Sequence, residues 1–438
     1  MRLSVVGLGK LGAPLAAVLA SAGHEVIGVD VNAEVIRALR NGRAPVEETQ
    51  LQQVIDANRE RLTVTTDYRK AVLGSDLTFV VVPTPSLVDG AFSNQHVIAA
   101  VQEIGRGLRE KDSYHVVNIT STVMPSSTGG VIREALEASS GRHLGVAMGL
   151  CYNPELVALG SVIHDLLTPD FVLIGESDAQ AGAMVESLFR AICRNQSPIR
   201  RMSLVNAEIA KLAINAFLTT KISYANMLAG ICERISGADV DVVTSAMGLD
   251  TRIGGKYLRG ATAYGGPCFP RDNLALDALA QTIGARADLA EATDRMNHYQ
   301  VERLLAYVQT YAVPGSRIGI LGVSYKPDTS VIEASPGIGL AGKLNDSGYA
   351  VRVFDPMALD AARSILGMNA IADSMEECAR DADVLVILTP WQIFSTLDPR
   401  WLYRAGQRVV IIDCWRVLPK ARFESVSEIR YLGAGDRR

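Results

Sequence analysis

Near-continuous apolar runs rich in β-branched residues alternate with helical stretches over about the first 195 residues. Residues 3–6, 25–29, 77–82, 115–119 and 171–174 are predicted as strands buried on both faces, as in a parallel sheet covered by helices. The texture changes at Ser203. From there to about Ser236 one helical pattern runs without proline, with Ser203 as its N-cap. Its apolar residues fall on most faces, which predicts a buried helix. About 34 residues at 1.5 Å each would reach roughly 50 Å, so the helix reads as a connector that also forms a subunit interface. After about residue 314 the alternation returns, with strands predicted at 317–323, 351–354, 384–388 and 409–412.

A weak repeat links the two ends of the chain. LASAGHEVIGVD at 19–30 matches LNDSGYAVRVFD at 344–355. Each copy puts a glycine (Gly23, Gly348) at a helix end and an acid (Asp30, Asp355) at a strand end. The fold class is therefore α/β. Two Rossmann-like doubly wound domains are joined by a long central helix and a helical middle domain. The boundaries fall at 1–198 for a dinucleotide-binding domain, 199–300 for a helical dimerisation domain and 301–438 for a second Rossmann-like domain.

Composition narrows the class. Length 438 allows two or three domains, and a net charge of −4 provides no basic field to draw nucleic acid. No window of about 18 apolar residues reads as a membrane span, and the first residues enter a strand without a signal-peptide pattern. The six cysteines are scattered without metal-binding spacing. The expectation is a cytoplasmic protein with reduced thiols and no metal site.

Gly7-Leu8-Gly9-Lys10-Leu11-Gly12 lies between a strand and a helix, and Asp30 ends the next strand. Gly7 permits the tight turn, Gly9 lets a pyrophosphate approach the backbone, and Gly12 lets helix and sheet pack. The helix N-terminus favours the anion. Asp30 would accept from the ribose hydroxyls and repel a 2′-phosphate, which selects NAD over NADP.

Residues 264–272 read YGGPCFPRD. Two glycines before Cys268 leave room for a ligand, prolines stiffen the loop, and Arg271 favours a thiolate. A lone cysteine is nonetheless more often structural. Lys211 and Asn215 share a helix face at i and i+4. Lys211 reads equally as a ligand-facing cation or as the partner of Glu208 in an intrahelical ion pair. Arg200-Arg201 reads as the solvated start of a helix.

Together these segments resemble the UDP-glucose/GDP-mannose dehydrogenase family over nearly the whole chain. GLGKLG, PTP (83–85), ITSTV (119–123), NPE (153–155), EIAKLAINAF (208–217), GGPCFPRD (265–272) and LGVSYKPDT (321–329) occur in the family's order. The resemblance implies NAD as cofactor and a four-electron oxidation of a nucleotide sugar at C6, UDP-glucose first, through a thioester on Cys268. Asp272 is then the acid paired with the thiol. Lys211 and Asn215 hold the reacting end of the sugar, and Thr122 and Glu155 manage water and thioester hydrolysis. Thr84, Thr122 and Arg271 join Gly7, Gly9, Leu11, Gly12 and Asp30 as cofactor contacts. Tyr257, Leu258, Arg259, Gly260, Ala261 and Gly265 wrap the nucleotide, Lys326 and Arg416 reach the substrate from the last domain, and Arg252 reaches the neighbouring subunit's substrate. A homodimer through the central helix and a role in polysaccharide biosynthesis are implied as well.

The chain departs from the family at Leu159, where an acid is usual, at Glu333, where an arginine is usual, and at Val35, where a basic residue is usual. Glu333 either supplies the carboxylate lost at 159 or reflects drift at a pocket rim. Other nucleotide sugars (UDP-N-acetylhexosamine, GDP-mannose, dTDP-glucose) are alternative substrates. A two-electron hydroxy-acid dehydrogenase and a non-catalytic dinucleotide binder are the competing classes.

Overall fold

A computed structural model describes residues 1–404 and 408–435. The chain forms two compact units, Met1–Ala213 and Ile214–Arg438, whose boundary falls inside the helix Leu204–Cys232.

The first unit holds an eight-stranded sheet of β1 (Arg2–Val6), β2 (Glu25–Val29), β3 (Leu62–Thr65), β4 (Leu77–Val80), β5 (His115–Ile119), β6 (Met148–Tyr152), β7 (Val172–Glu176) and β8 (Ile199–Ser203). The order is β3-β2-β1-β4-β5-β6-β7-β8. The first six strands follow the doubly wound order in which the chain reverses direction beside β1. β4 and β5 are buried at every position, their polar residues Thr78, His115 and Asn118 included. The sheet is not wholly parallel, since β6 meets β7 antiparallel at Cys151↔Glu176 and Tyr152↔Gly175. Three strands of this sheet lie outside the sequence expectation. β3 is an edge strand with half-exposed residues, β6 carries no β-branched residue, and β8 is a polar edge. Arg200 and Arg201 therefore lie in β8 and do not start a helix. Arg201 binds Glu176 at 2.7 Å and Glu186 at 3.3 Å.

The second unit carries β9 (Arg317–Leu321), β10 (Ala350–Phe354), β11 (Val384–Ile387), β12 (Val409–Asp413) and β13 (Ser427–Tyr431). Their order is β10-β9-β11-β12-β13, all parallel, which is the other common doubly wound arrangement. Ahead of that sheet lie the helices Val240–Gly248, Phe269–Thr282 and Asp288–Gln309.

The central helix is shorter than its periodicity predicts. It spans 29 residues, Leu204–Cys232, or about 43 Å. Nor is it buried on most faces: Phe217, Tyr224 and Ile231 are exposed, Phe217 by 65%. Their spacing of seven residues places all three on one side of the helix.

Candidate functional site

The glycine turn after β1 is shaped by close backbone approach. Gly7 sits at φ +91°, and a Cβ there would meet the Val81 carbonyl oxygen at 2.3 Å. A Cβ on Gly12 would lie 1.8 Å from the Gly7 oxygen, so only glycine lets the helix Gly12–Ser21 start against the strand. Gly9 faces open space, with nothing within 4 Å of where its Cβ would be. Leu11 precedes the helix and offers no side-chain cap. Asp30 accepts from the Leu8 N–H and the Asn32 N–H, each at 2.7 Å, and keeps a half-exposed carboxylate. An uncapped helix start, an open glycine and an outward acid suit a dinucleotide's pyrophosphate and ribose.

The repeat at the other end of the chain shows why it is not a second such cradle. Gly337 approaches the Gly322 oxygen as Gly12 approaches Gly7; a Cβ there would lie at 2.5 Å. Here, however, Ser335 caps the Gly337 and Ile338 N–H groups. Asp355 is fully buried and accepts from Val323, Ser324, Met357, Ala358 and Trp391. The same loop geometry is filled from within.

Elsewhere in the first unit, the Thr84 hydroxyl donates to the Thr122 carbonyl at 2.7 Å, tying the loop after β4 to the loop after β5. Asn153 donates to the Leu173 oxygen and so fixes the segment that leads to Glu155. Lys211 is buried, and its Nζ donates to the Glu155 carbonyl oxygen at 2.9 Å. Both Glu155 carboxylate oxygens are buried without a hydrogen-bond partner. Burial pushes that carboxyl up to about 8, and the Lys211 ammonium pulls it partly back. The residue as a whole is half-buried, but its two carboxylate oxygens do not reach the surface. Glu208 is not an ion-pair partner for Lys211. Its carboxylate accepts from the Ser126 and Thr128 N–H groups at 2.6 and 2.7 Å. Leu159 packs against the unit's core. Glu48, which no motif marks, accepts from two N–H groups near it, those of Gly160 and Val162.

In the second unit Cys268 is exposed and stands at the N-cap position of the helix Phe269–Thr282, with Pro270 in its first turn. A helix start lowers the cost of a thiolate. One turn on, Asp272 is buried; its N–H donates to the Cys268 carbonyl at 2.9 Å, and its carboxylate accepts from Asn215 Nδ2 at 2.6 Å. Arg271 Nε lies 3.6 Å from Asp272. Asn215, Asp272 and Cys268 thus form one connected group. The glycines before the thiol serve chain packing where the sequence had left room for a ligand. A Cβ on Gly265 would meet the Ala334 oxygen at 2.4 Å, and one on Gly266 the Tyr325 ring at 2.5 Å. Glu333 takes part through its carbonyl, which accepts from the Gly266 N–H.

Phe269 also brings the 257–261 segment beside the thiol, since Tyr257 and Tyr264 make edge contacts to its ring at 6.1 and 6.2 Å. Tyr257 itself has φ +62°. Leu258 is buried, the Ala261 N–H donates to Asn226, and Gly260 packs so closely that a Cβ would meet the Ala225 oxygen at 2.6 Å. Arg259 lies over the Trp415 ring at 5.5 Å. Arg416 is held by Asp239 through two 2.7 Å bonds and by Asp241 at 2.9 Å, an acidic pair the sequence reading had not singled out. The one available signal was Asp239 as N-cap of the helix Val240–Gly248. Arg252 is exposed and folds onto Asp250, and Lys326 lies in the loop between β9 and the helix Pro336–Asp346.

A doubly wound sheet with this cradle, and a separate exposed thiol at a helix start beside a buried acid, define a dinucleotide-dependent oxidoreductase. Family models place the rest. The NAD-binding domain of the UDP-glucose/GDP-mannose dehydrogenase family matches residues 1–193, its central domain 205–299 and its UDP-binding domain 319–420. The UDP-glucose 6-dehydrogenase AglM of Haloferax volcanii is 34% identical, over 96% of this chain and 98% of its own. The GDP-mannose 6-dehydrogenase of Pseudomonas aeruginosa is 34% identical, over 91% of this chain and 93% of its own. A solved UDP-glucose dehydrogenase from Pyrobaculum islandicum superposes with a TM-score of 0.89 at 32% identity, covering 99% of this chain and 98% of that one. The chain belongs to the UDP-glucose/GDP-mannose dehydrogenase family, a family of NAD-dependent nucleotide-sugar dehydrogenases. Among the described residues no helix is long and apolar enough to cross a membrane.

Proposed function

We propose that the chain oxidises C6 of UDP-glucose to the uronic acid in two steps through a thioester on Cys268. The observation that carries this reading is the exposed thiol at a helix start, one turn from a buried acid that Asn215 holds. NAD, when bound, would supply the hydride acceptor for C6 in each of the two oxidations. Gly7, Gly9, Leu11, Gly12 and Asp30 hold its pyrophosphate and ribose, with Thr84, Thr122 and Arg271 as further contacts.

The residues of the chain do the rest. Asp272, through water, accepts the proton of the 6-hydroxyl. The Cys268 thiolate bonds the aldehyde carbon, whose oxygen takes back the proton from Asp272 and returns it to Asp272 in the second oxidation; the adduct keeps the aldehyde from leaving. Lys211 and Asn215 donate to the oxygen at each stage, and one such donor is worth about 3 kcal/mol. After the second oxidation a water oxygen, placed by Thr122, bonds the thioester carbon. The C–S bond breaks, Cys268 leaves as thiolate, and Glu155 takes the water's proton. Tyr257, Leu258, Arg259, Gly260, Ala261 and Gly265 surround the nucleotide, with Lys326 and Arg416 from residues 301–438; Arg252 serves the neighbouring subunit. Arg416 exchanges its two aspartates for substrate to do so.

The working division is 1–198 for cofactor, 199–300 for dimerisation and the thiol, and 301–438 for the nucleotide. A cytoplasmic homodimer joined along the central helix accounts for the exposed Phe217, Tyr224 and Ile231. Because the UDP-glucose and GDP-mannose enzymes above are equally similar in sequence, the test is NADH formation across UDP-glucose, UDP-N-acetylhexosamines, GDP-mannose and dTDP-glucose. Preference for UDP-glucose supports the reading. Turnover of another sugar alone replaces the substrate, and no turnover of any overturns the activity.

A further inference from the structure

We propose that Glu48 is a positioning residue for Glu155, a role that rests on the hydrolytic part given to Glu155 above. Glu155 lies on a segment outside the sheet and helices of the first unit, between β6 and the helix Val162–Leu167. Its carboxylate accepts no hydrogen bond, so no side-chain partner aims it. With no hydrogen bond to hold them, those two oxygens are placed by the main chain and by side-chain packing, so what anchors that main chain affects their aim.

Several side chains hold it. Lys211 donates to the Glu155 carbonyl, Asp165 accepts from the Ala158 N–H at 3.0 Å, and Glu48 closes the far end. One Glu48 oxygen accepts from Gly160 at 2.8 Å and the other from Val162 at 3.1 Å. Two oxygens of one carboxylate on two N–H groups fix both position and orientation, and charged acceptors make the stronger bonds. Gly160 sits at φ +88°, so the turn that presents its N–H is itself specialised. Glu48 comes from more than a hundred residues earlier in the chain. Its own loop is braced by Gln52, which accepts from the Ala44 N–H and donates to the Gly42 carbonyl, both at 2.8 Å. Removal of Glu48 leaves two donors unpaired and lets the end of the segment shift, and a displacement of about 1 Å at a reacting group costs up to about a hundredfold in rate. The loss falls on thioester hydrolysis, the one step assigned to Glu155, and spares the oxidations.

The experiment compares Glu48→Ala, Glu48→Gln and Glu155→Gln by rapid mixing with saturating NAD and UDP-glucose, with NADH and intact protein mass followed together. The expected result is a normal first burst of NADH in all three. Acyl-enzyme then accumulates in Glu155→Gln and Glu48→Ala, whose kcat falls about 10- to 100-fold while KM holds within about twofold. Glu48→Gln, which keeps one carbonyl acceptor, falls between. Acyl-enzyme in Glu155→Gln but in neither Glu48 variant overturns the proposal alone. A Glu48 variant that merely loses melting temperature and burst amplitude together overturns it too. No acyl-enzyme in Glu155→Gln overturns the reading of Glu155, and the proposal with it.

Discussion

Glu155→Gln makes a stability test that needs no substrate. Burial raises this carboxyl from 4.5 to about 8, so the folded chain holds a proton that the unfolded chain releases near the ordinary carboxyl value. For a carboxyl raised in the folded state, the stabilisation is complete below 4.5 and is lost as pH climbs through about 8. At about 1.4 kcal/mol per pH unit, the full loss is about 5 kcal/mol. Between about pH 5 and about pH 7.5 it is about 3 kcal/mol. Glutamine has the same shape and no proton to lose. Urea unfolding of wild type and Glu155→Gln at those two pH values reads the difference directly: the variant should gain on wild type by a few kcal/mol at the higher pH. Parallel stabilities at both values would refute the burial argument. On the role proposed for Glu155, single-turnover thioester hydrolysis should accelerate as pH approaches 8.

Asn215→Ala leaves the buried Asp272 carboxylate without its 2.6 Å donor; the expected loss is about 1–3 kcal/mol in stability and about a hundredfold or more in kcat, measured by denaturation and steady-state kinetics. Asp30→Ala removes the acceptor for the Leu8 and Asn32 N–H groups and the barrier to a 2′-phosphate. Calorimetry should show NAD binding weakened at least about tenfold, by the loss of about 1.4 kcal/mol or more, and the NAD/NADP preference narrowed. Gly12→Ala drives a Cβ into the Gly7 oxygen; a cost of about 1–3 kcal/mol should appear as a lower melting temperature together with weaker NAD binding. Phe217→Asp puts a charge on the exposed face of the central helix, and light scattering should show the dimer dissociating.

What the sequence revealed follows from what physics writes locally. Buried central strands such as β4 and β5 have no solvent-facing side, so they stand out as short β-branched, mostly apolar runs even with Thr78, His115 and Asn118 among them. Edge strands β3, β8 and β13 are half-exposed and read as loops or helix starts. The 19–30 and 344–355 repeat was legible because each copy needs a glycine at positive φ, Gly23 and Gly348. What became of the two acids was not, because the partners that bury Asp355, such as Ser324 and Trp391, lie far away along the chain. Glu48 and the Asp239–Arg416 pair were hidden for the same reason. Helical spacing left an ion pair of Glu208 with Lys211 open, whereas the carboxylate reaches back to residues 126 and 128.

Whether residue 268 carries the chemistry is most directly tested by counting NADH formed per UDP-glucose consumed, in wild type and in Cys268→Ser. The account predicts two NADH and one uronic acid per sugar for wild type, and no net acid from the serine variant. One NADH per sugar in the wild type, or acid formed by Cys268→Ser at the wild-type rate, would contradict it.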